Sequence, residues 1–126
     1  MGAFISNEGT SNCACFYGVF TDYAPTAVDL LSFTGNRMAE SILLEWQTAN
    51  EIDNLGFNLY RATSESGTKV KLNADLIPTK VMPGSLIGAS YSFEDFTATA
   101  SEAYFYWLED VEASGTTTMH GPVEVP

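Results

Sequence analysis

The chain has 126 residues, 16 of them acidic and 5 basic, which gives a formal net charge of −11. This length is typical of one domain, and so acidic a chain repels phosphate backbones and anionic membranes, which excludes nucleic-acid binding. Hydrophobic residues make up 45% of the chain and charged residues 17%, a composition that favours a folded domain over disorder. The chain has no apolar run of the roughly 18 residues needed for membrane insertion.

Residues 1–26 differ in composition from the rest of the chain. They contain no Lys or Arg and are rich in apolar and aromatic side chains. In an extended strand, both faces of residues 13–23 would be apolar, and strands of that kind are buried on both sides. We therefore expect this extension to dock, either on its own domain or on a neighbouring copy. The residues that we expect to make the contact are Cys13, Cys15, Phe16, Tyr17, Val19, Phe20 and Tyr23.

The two cysteines flank a single residue, Ala14. Side chains so placed on a strand are too far apart along one face for an ordinary disulfide with each other. Three interpretations stay open: two buried small side chains, bonds to cysteines of another subunit, or redox or metal chemistry.

From residue 27 onward, the sequence predicts short strands separated by turn residues at the spacing of a β-sandwich. The predicted strands are 28–33, 41–48, 57–61, 69–72, 91–95, 102–111 and 116–125. Residues 78–89 contain Pro83, Gly84 and Gly88 and are predicted to form a long crossing loop. We predict an all-β fold, a seven-stranded antiparallel β-sandwich over residues 27–126, with residues 1–26 as an extension that adds a strand.

The alternation of side chains along these strands predicts a core and an outer face. The inward-facing set is Trp46, Phe57, Leu59, Tyr104, Tyr106 and Leu108. Phe105, Trp107 and Glu109 fall on the opposite face of the last long aromatic strand. Lys69 and Lys71 are typical of an edge strand, and Gly121–Pro122 within the final strand requires an edge or a bulge.

Candidate catalytic residues are few. The chain has one histidine, His120, so a triad or a zinc site would depend on a single imidazole. Glu51 with Asp53, or Glu109 with Asp110, are candidate calcium or acid–base pairs. Adjacent strand residues point to opposite faces, so we expect a solvated acidic rim instead. A cross-link from Lys69, Lys71 or Lys80 to an Asn or Asp stays open. We expect no catalytic site, metal or cofactor.

Three segments carry a resemblance to a known family. Glu45–Trp46, residues 56–61 and residues 104–111 resemble the B, C and F strands of fibronectin type III domains. Residues 43–57 are similar to a version common in exported and cell-surface proteins of environmental bacteria. The resemblance covers residues 27–125 and implies that Trp46 is the core tryptophan and Tyr104 the tyrosine-corner residue. It also implies an extracellular or cell-surface location and a binding, spacing or assembly role, rather than a reaction.

These observations favour a self-assembling subunit of an extracellular filament or fibre, whose partners are copies of itself. In this hypothesis the extension packs on a neighbouring subunit, with Phe105 and Trp107 among the residues that it contacts. Head-to-tail donation of a strand does not close on itself and produces a filament. The alternatives are an adhesion or carbohydrate-binding module of a larger surface protein, with Trp107 and Phe105 stacking on sugars beside Glu109, and an enzyme that uses the acidic cluster.

Overall fold

The computed structural model describes residues 28–82, 84 and 86–126. The described chain forms eight strands. They are β1 (Val28–Arg37), β2 (Ile42–Glu51), β3 (Asn54–Ala62), β4 (Val70–Lys71), β5 (Ile77–Pro78), β6 (Ser90–Asp95), β7 (Tyr104–Glu112) and β8 (Thr117–Val125). Within these ranges, nothing helical has the length and apolarity that would carry it across a membrane.

The strands form two antiparallel sheets. Strands β1, β2 and β6 form the smaller sheet, with β2 in the centre. The larger sheet has the order β4-β3-β7-β8, and β5 also pairs with β3. The predicted all-β, two-sheet antiparallel sandwich is therefore confirmed.

The strand count differs from the predicted seven because Ile77 and Pro78 pair with Phe57 and Gly56 as a two-residue strand. Most of the predicted crossing loop that follows contains no strand. The extension, its added strand and the boundary after residue 26 lie outside the described residues.

The core lies between the two sheets, where the inward-facing residues of the alternating strands meet. Trp46 from the smaller sheet stacks on Tyr91 with the ring centroids 5.4 Å apart. Phe57 from the larger sheet contacts both rings edge-on, at 5.5 Å from Trp46 and 4.8 Å from Tyr91. Each such side chain contributes roughly 1.5–3 kcal/mol through burial alone. The six residues predicted as core are all buried: Trp46, Phe57, Leu59, Tyr104, Tyr106 and Leu108.

The sandwich has two ends, which differ in the elements that they contain. At the Val28 end, β1 begins opposite the last residue of β2, Glu51. The loop before β6 lies at this end, because Gly84 N–H donates to the Ile52 carbonyl (2.8 Å) and Thr79 N–H to the Leu55 carbonyl (3.0 Å). At the opposite end, which we call the Arg37 end, the last residues of β1 and β6 flank Ile42 at the start of β2.

Strand β8 forms an edge of the larger sheet and is irregular in its middle. Its register with β7 shifts between the pairs Tyr106–Val123 and Leu108–His120. Gly121 lies in the shifted segment with a φ of +116°, a region that favours glycine. A β-carbon there would lie 2.8 Å from the Tyr106 carbonyl oxygen, so the strand approaches its neighbour more closely than other residues allow. The segment at Gly121–Pro122 is thus both at an edge and bulged.

Candidate interaction surfaces

Glu51 is a buried carboxylate at the Val28 end, with only 1% of its surface exposed. Its Oε1 accepts hydrogen bonds from Asn54 Nδ2 (3.0 Å) and Thr79 Oγ1 (2.6 Å). Its Oε2 accepts from Thr48 Oγ1 (2.8 Å) and the Tyr91 hydroxyl (2.6 Å). These donors come from both sheets and from the loop before β6, so Glu51 connects three parts of the fold.

The protonation behaviour of Glu51 follows from this environment. Burial by itself raises the pKa of the carboxyl group, but the hydrogen bonds from Thr79, Tyr91, Asn54 and Thr48 outweigh it, and the net pKa is lowered. Burial and the bond to Glu51 raise the pKa of the Tyr91 hydroxyl. Glu51 is therefore held ionised as an acceptor, which is a structural role.

Asp95 plays a similar part at the Arg37 end. Its Oδ2 accepts from Arg61 Nη1 and from the Tyr106 hydroxyl, both at 2.8 Å, and its Oδ1 accepts from Thr97 Oγ1 at 2.6 Å. Burial raises the pKa of Asp95, whereas the bonds from Thr97, Tyr106 and Arg61 lower it by more. The pair formed by Arg61 and Asp95 joins the two sheets across the sandwich.

Asp110 is a third buried carboxyl group, and its partner is the histidine. Asp110 Oδ2 lies 2.7 Å from His120 Nε2 on the neighbouring strand β8. The other oxygen, Oδ1, has no hydrogen-bond partner in the described part of the chain. Glu109, the adjacent residue, instead points outward and accepts from Asn58 Nδ2 (2.9 Å) and the Tyr60 hydroxyl (3.2 Å).

The prediction that Glu109 and Asp110 diverge is therefore confirmed, but the expected solvated acidic rim is wrong for Asp110 and Glu51. Both are 1% exposed. Asp110 is buried because it continues the inward-facing series of β7, and Glu51 is buried because four donors satisfy its oxygens. Among the described residues, no group of three or more His, Cys, Asp or Glu side chains is arranged to hold a metal ion.

The outer face of the larger sheet carries the aromatic residues that the sequence placed away from the core. Trp107 is only 5% exposed, and Lys69 Nζ lies over its ring at 4.3 Å from the centroid. Phe105 is half-buried. Because Trp107 is covered in this way, it does not present an open ring face to a ligand.

Tyr104 ties the loop after β6 to the start of β7. Its hydroxyl oxygen accepts a hydrogen bond from Thr99 N–H at 3.0 Å, five residues upstream. The guanidinium of Arg61 lies 4.6 Å from the centroid of the same ring. This is the arrangement that the resemblance implied for Tyr104.

The other predicted contact residues belong to the extension. Cys13, Cys15, Phe16, Tyr17, Val19, Phe20 and Tyr23 lie outside the described residues. The lysines considered for a cross-link make other contacts: Lys69 lies over Trp107, and Lys80 Nζ donates to the Ser90 carbonyl (2.7 Å).

The described surface also carries exposed apolar side chains that the sequence patterns did not single out. Met82 and Leu86, in the loop before β6, are 78% and 76% exposed. Phe96, directly after β6, is 67% exposed, and Met38, directly after β1, is 52% exposed. The only sequence signal for them is the presence of large apolar residues in predicted turns and loops.

Comparison with known proteins finds similarity in structure but not in sequence. No family model and no curated protein matches the chain. A Fn3-like protein from Clostridium thermocellum matches with a TM-score of 0.53 and 13% identity, over 80% of this chain and 94% of that one.

Two pectate lyases also contain a similar unit. Pectate lyase PelI from Erwinia chrysanthemi, in complex with tetragalacturonic acid, matches with a TM-score of 0.56 and 14% identity over 79% of this chain. Pectate lyase Pel3 from Pectobacterium carotovorum matches with a TM-score of 0.56 and 19% identity over 79% of this chain. The chain spans 28% and 26% of the length of these two enzymes.

The similarity, the sheet order and the hydrogen bond at Tyr104 together define the class of this protein. It has a fibronectin type III-like β-sandwich fold, as the resemblance in residues 27–125 predicted. At these levels of identity the similarity defines the fold, and function has to be argued from the residues.

Proposed function

We propose that this protein is a non-catalytic structural protein of the cell surface or extracellular space that assembles with copies of itself. In this proposal, residues 1–26 pack on a neighbouring subunit. One observation carries it: this segment directly precedes the sandwich, lacks any basic residue and contains residues 13–23, which would be apolar on both faces of an extended strand. We expect apolar side chains in this number to be buried against another protein surface.

The environment of the buried acidic residues in the described sandwich supports a non-catalytic role. Glu51 and Asp95 are occupied by hydrogen bonds from neighbouring side chains inside the fold. Asp110, the third buried carboxyl, contacts His120. Their environments stabilise the two sheets and the edge strand rather than directing a reactive group into a cleft.

The dimensions of the chain also fit assembly. Strand β1 has 10 residues, so the sandwich is about 33 Å long at about 3.3 Å per residue. A fully extended segment of 26 residues reaches about 85 Å. Residues 1–26 are therefore long enough to leave one subunit and run along the whole length of the next.

Deletion of residues 1–26 tests the proposal. We expect the full chain to form large species in sedimentation velocity and elongated particles in negative-stain microscopy, and the deleted chain to sediment as a monomer. A full-length variant with Phe16→Ser, Tyr17→Ser and Phe20→Ser is the matched control, because it removes the apolar surface and keeps the length. Thermal unfolding followed by circular dichroism verifies that each variant is folded. A full chain that stays monomeric at all concentrations contradicts the proposal.

A second candidate is an accessory module for adhesion or carbohydrate binding within a larger surface protein. The similar unit in the two pectate lyases, which makes up about a quarter of each chain, favours it. The net charge of −11 disfavours an anionic polysaccharide such as a polygalacturonate, so a neutral one is the better ligand. Because Trp107 is covered, Phe105 is the outer-face ring that we choose as the one to stack on a sugar; Tyr60, the other half-buried ring of that face, donates its hydroxyl to Glu109.

Affinity electrophoresis in gels that contain neutral polysaccharides tests this second candidate. If it is correct, the protein is retarded and Phe105→Ala removes the retardation, whereas Leu31→Ala, an exposed apolar change in another sheet, does not. Equal migration in gels with and without polysaccharide contradicts it.

A further inference from the structure

Exposed apolar side chains are concentrated at the two ends of the sandwich. Around the Val28 end they come from the start of β3 and from the segments on either side of β5, and include Leu55, Leu76, Met82, Leu86 and Ile87. At the Arg37 end they are Met38 and Phe96. Of the remaining ones in the described chain, Leu31 and Met119 lie singly on strands, and Val70 lies on β4 opposite Arg61. Contiguous exposed apolar surface marks an interaction site, whereas scattered single residues do not.

At the Arg37 end, the backbone places Met38 and Phe96 at the same end of the smaller sheet, on either side of its central strand. Met38 follows β1 and Phe96 follows β6, and these strands flank the first residue of β2. Two strand spacings separate them, about 10 Å. This end is also held firmly, because Arg37 donates to the carbonyls of Pro126 (2.9 Å), Thr99 (3.1 Å) and Glu102. A surface that is already ordered loses little conformational entropy when it binds.

At the Val28 end, the loop that carries Met82 and Leu86 is attached to the sandwich through its backbone. Gly84 N–H binds the Ile52 carbonyl, and the backbone of Ala89 exchanges hydrogen bonds with Thr48 (2.9 Å for each). These bonds hold the loop against the sandwich while the large side chains of Met82 and Leu86 stay in solvent.

The direction of the chain decides how two copies can meet. The described chain begins at Val28, which lies at the same end of the sandwich as Met82 and Leu86, so residues 1–26 are attached at this end. A donor and an acceptor at the same end allow two copies to exchange extensions reciprocally as a closed dimer. An acceptor at the opposite end, where Met38 and Phe96 are exposed, leaves each copy one donating and one accepting end, so that the assembly stays open.

We propose that the two ends form the junction between successive subunits, with Met82 and Leu86 of one copy packing against Met38 and Phe96 of the next. This inference rests on the proposed self-assembly and specifies its geometry. The extension of the first copy continues past the junction onto the second. It supplies the contact area that two small end surfaces lack, since a stable interface needs about 800 Å² per partner.

Two variants with altered ends test the junction by complementation. One carries Met82→Ser and Leu86→Ser, and the other Met38→Ser and Phe96→Ser, all at exposed positions where the fold tolerates a change. Each variant alone has one defective end and is expected to lose filament growth in sedimentation velocity. An equimolar mixture contains one intact junction and is expected to form dimers that do not extend. The matched control is Leu31→Ser with Met119→Ser, which alters apolar residues on strands and leaves assembly unchanged.

The outcomes separate this inference from the function on which it rests. If the wild-type chain does not assemble, the proposed function fails. If it assembles and both altered ends still form filaments, the junction is wrong while self-assembly stands. If only the Met82 and Leu86 variant is defective and the wild-type species is a dimer, the Val28 ends pair with each other, which also overturns the junction.

Discussion

At the scale of single residues, the donors around Glu51 show how a buried charge is accommodated. Each hydrogen bond to its carboxylate comes from a neutral side chain: Thr48, Asn54, Thr79 or Tyr91. Four such bonds satisfy both oxygens, so the cost of desolvation is offset without a bonded cation. Removal of the charge therefore disturbs the Val28 end, where the two sheets and the loop before β6 meet.

We predict that Glu51→Gln lowers the free energy of unfolding at pH 7 by about 1 to 3 kcal/mol, because two of the donors then face an amide. It should also weaken the pH dependence of stability. The folded pKa of Glu51 is lowered, so its contribution is complete above the ordinary carboxyl range near pH 4 and is lost as pH falls through the folded value. Urea unfolding between pH 7 and pH 3 measures both effects.

The matched control for Glu51 is Glu45→Gln, a change at an exposed position in the middle of the same strand. It should leave both the stability at pH 7 and its pH dependence close to those of the wild type. Parallel pH profiles for Glu51→Gln and the wild type would show that the hydrogen-bonded charge has no stabilising role.

Asp110 and His120 provide a second prediction at this scale. His120→Leu leaves the buried Asp110 carboxyl without its donor, since Oδ1 has no partner in the described chain. We expect a loss of about 2 to 4 kcal/mol. The double variant Asp110→Leu with His120→Leu should regain much of this loss, because no unpaired polar group remains. Urea unfolding of the wild type, the two single variants and the double variant measures the coupling energy between Asp110 and His120. If the losses of the two single variants simply add in the double variant, the predicted coupling is contradicted.

The burial of two of the three carboxyl groups was predictable from the sequence, but their hydrogen-bond partners were not. Asp95 and Asp110 lie in phase with inward-facing residues, as in the series Tyr104, Tyr106, Leu108 and Asp110, so their burial follows from the period of the strand. Their partners did not follow, because Arg61 and His120 reach them from other strands. Glu51 is out of phase with Trp46, and its burial depends on a change of phase near the end of β2 together with donors from β2 itself, β3, β6 and the loop before β6.

At the scale of elements, strand β8 is defined by the bulge at Gly121. A glycine in this segment was evident from the sequence, and so was the need for an edge or a bulge. The close approach to Tyr106 was not, because it arises from the pairing of β8 with β7. A β-carbon at position 121 would lie 2.8 Å from the Tyr106 carbonyl oxygen, which is too close for any residue except glycine.

We predict that Gly121→Ala destabilises the fold more than Gly115→Ala does. Both glycines have positive φ, +116° and +94°, so each substitution has a conformational cost of roughly 1 to 2 kcal/mol. A β-carbon at Gly115 meets nothing within 4 Å, whereas one at Gly121 collides with backbone. The difference between the two melting temperatures isolates the collision, and equal values would show that β8 shifts freely away from β7.

At the scale of the whole molecule, the net charge of −11 opposes any assembly of identical subunits. Salt shortens the range of this repulsion from about 30 Å at 0.01 M to about 8 Å at 0.15 M. The junction proposed between the Val28 and Arg37 ends relies on apolar side chains, which salt does not screen.

We therefore predict that assembly of the full chain increases as ionic strength rises, or when divalent cations are added at low ionic strength. Sedimentation velocity over a series of NaCl concentrations, with and without calcium and a chelator, measures the effect. The chain without residues 1–26 serves as the control and should stay monomeric throughout. Assembly that is indifferent to both salt and chelator would mean that like-charge repulsion does not limit it.

The sequence by itself determined the class of fold and the core. The two-residue period placed Trp46, Phe57 and Tyr106 inward, because burial of alternate side chains is a local property of a strand. Tertiary structure alone decided the rest. Burial of Trp107 under Lys69, the donors to Glu51, and the positions of Met82 and Phe96 at opposite ends depend on contacts between segments distant in the chain. Such contacts are set by the pairing of strands and the packing of sheets, which the local pattern of one strand does not contain.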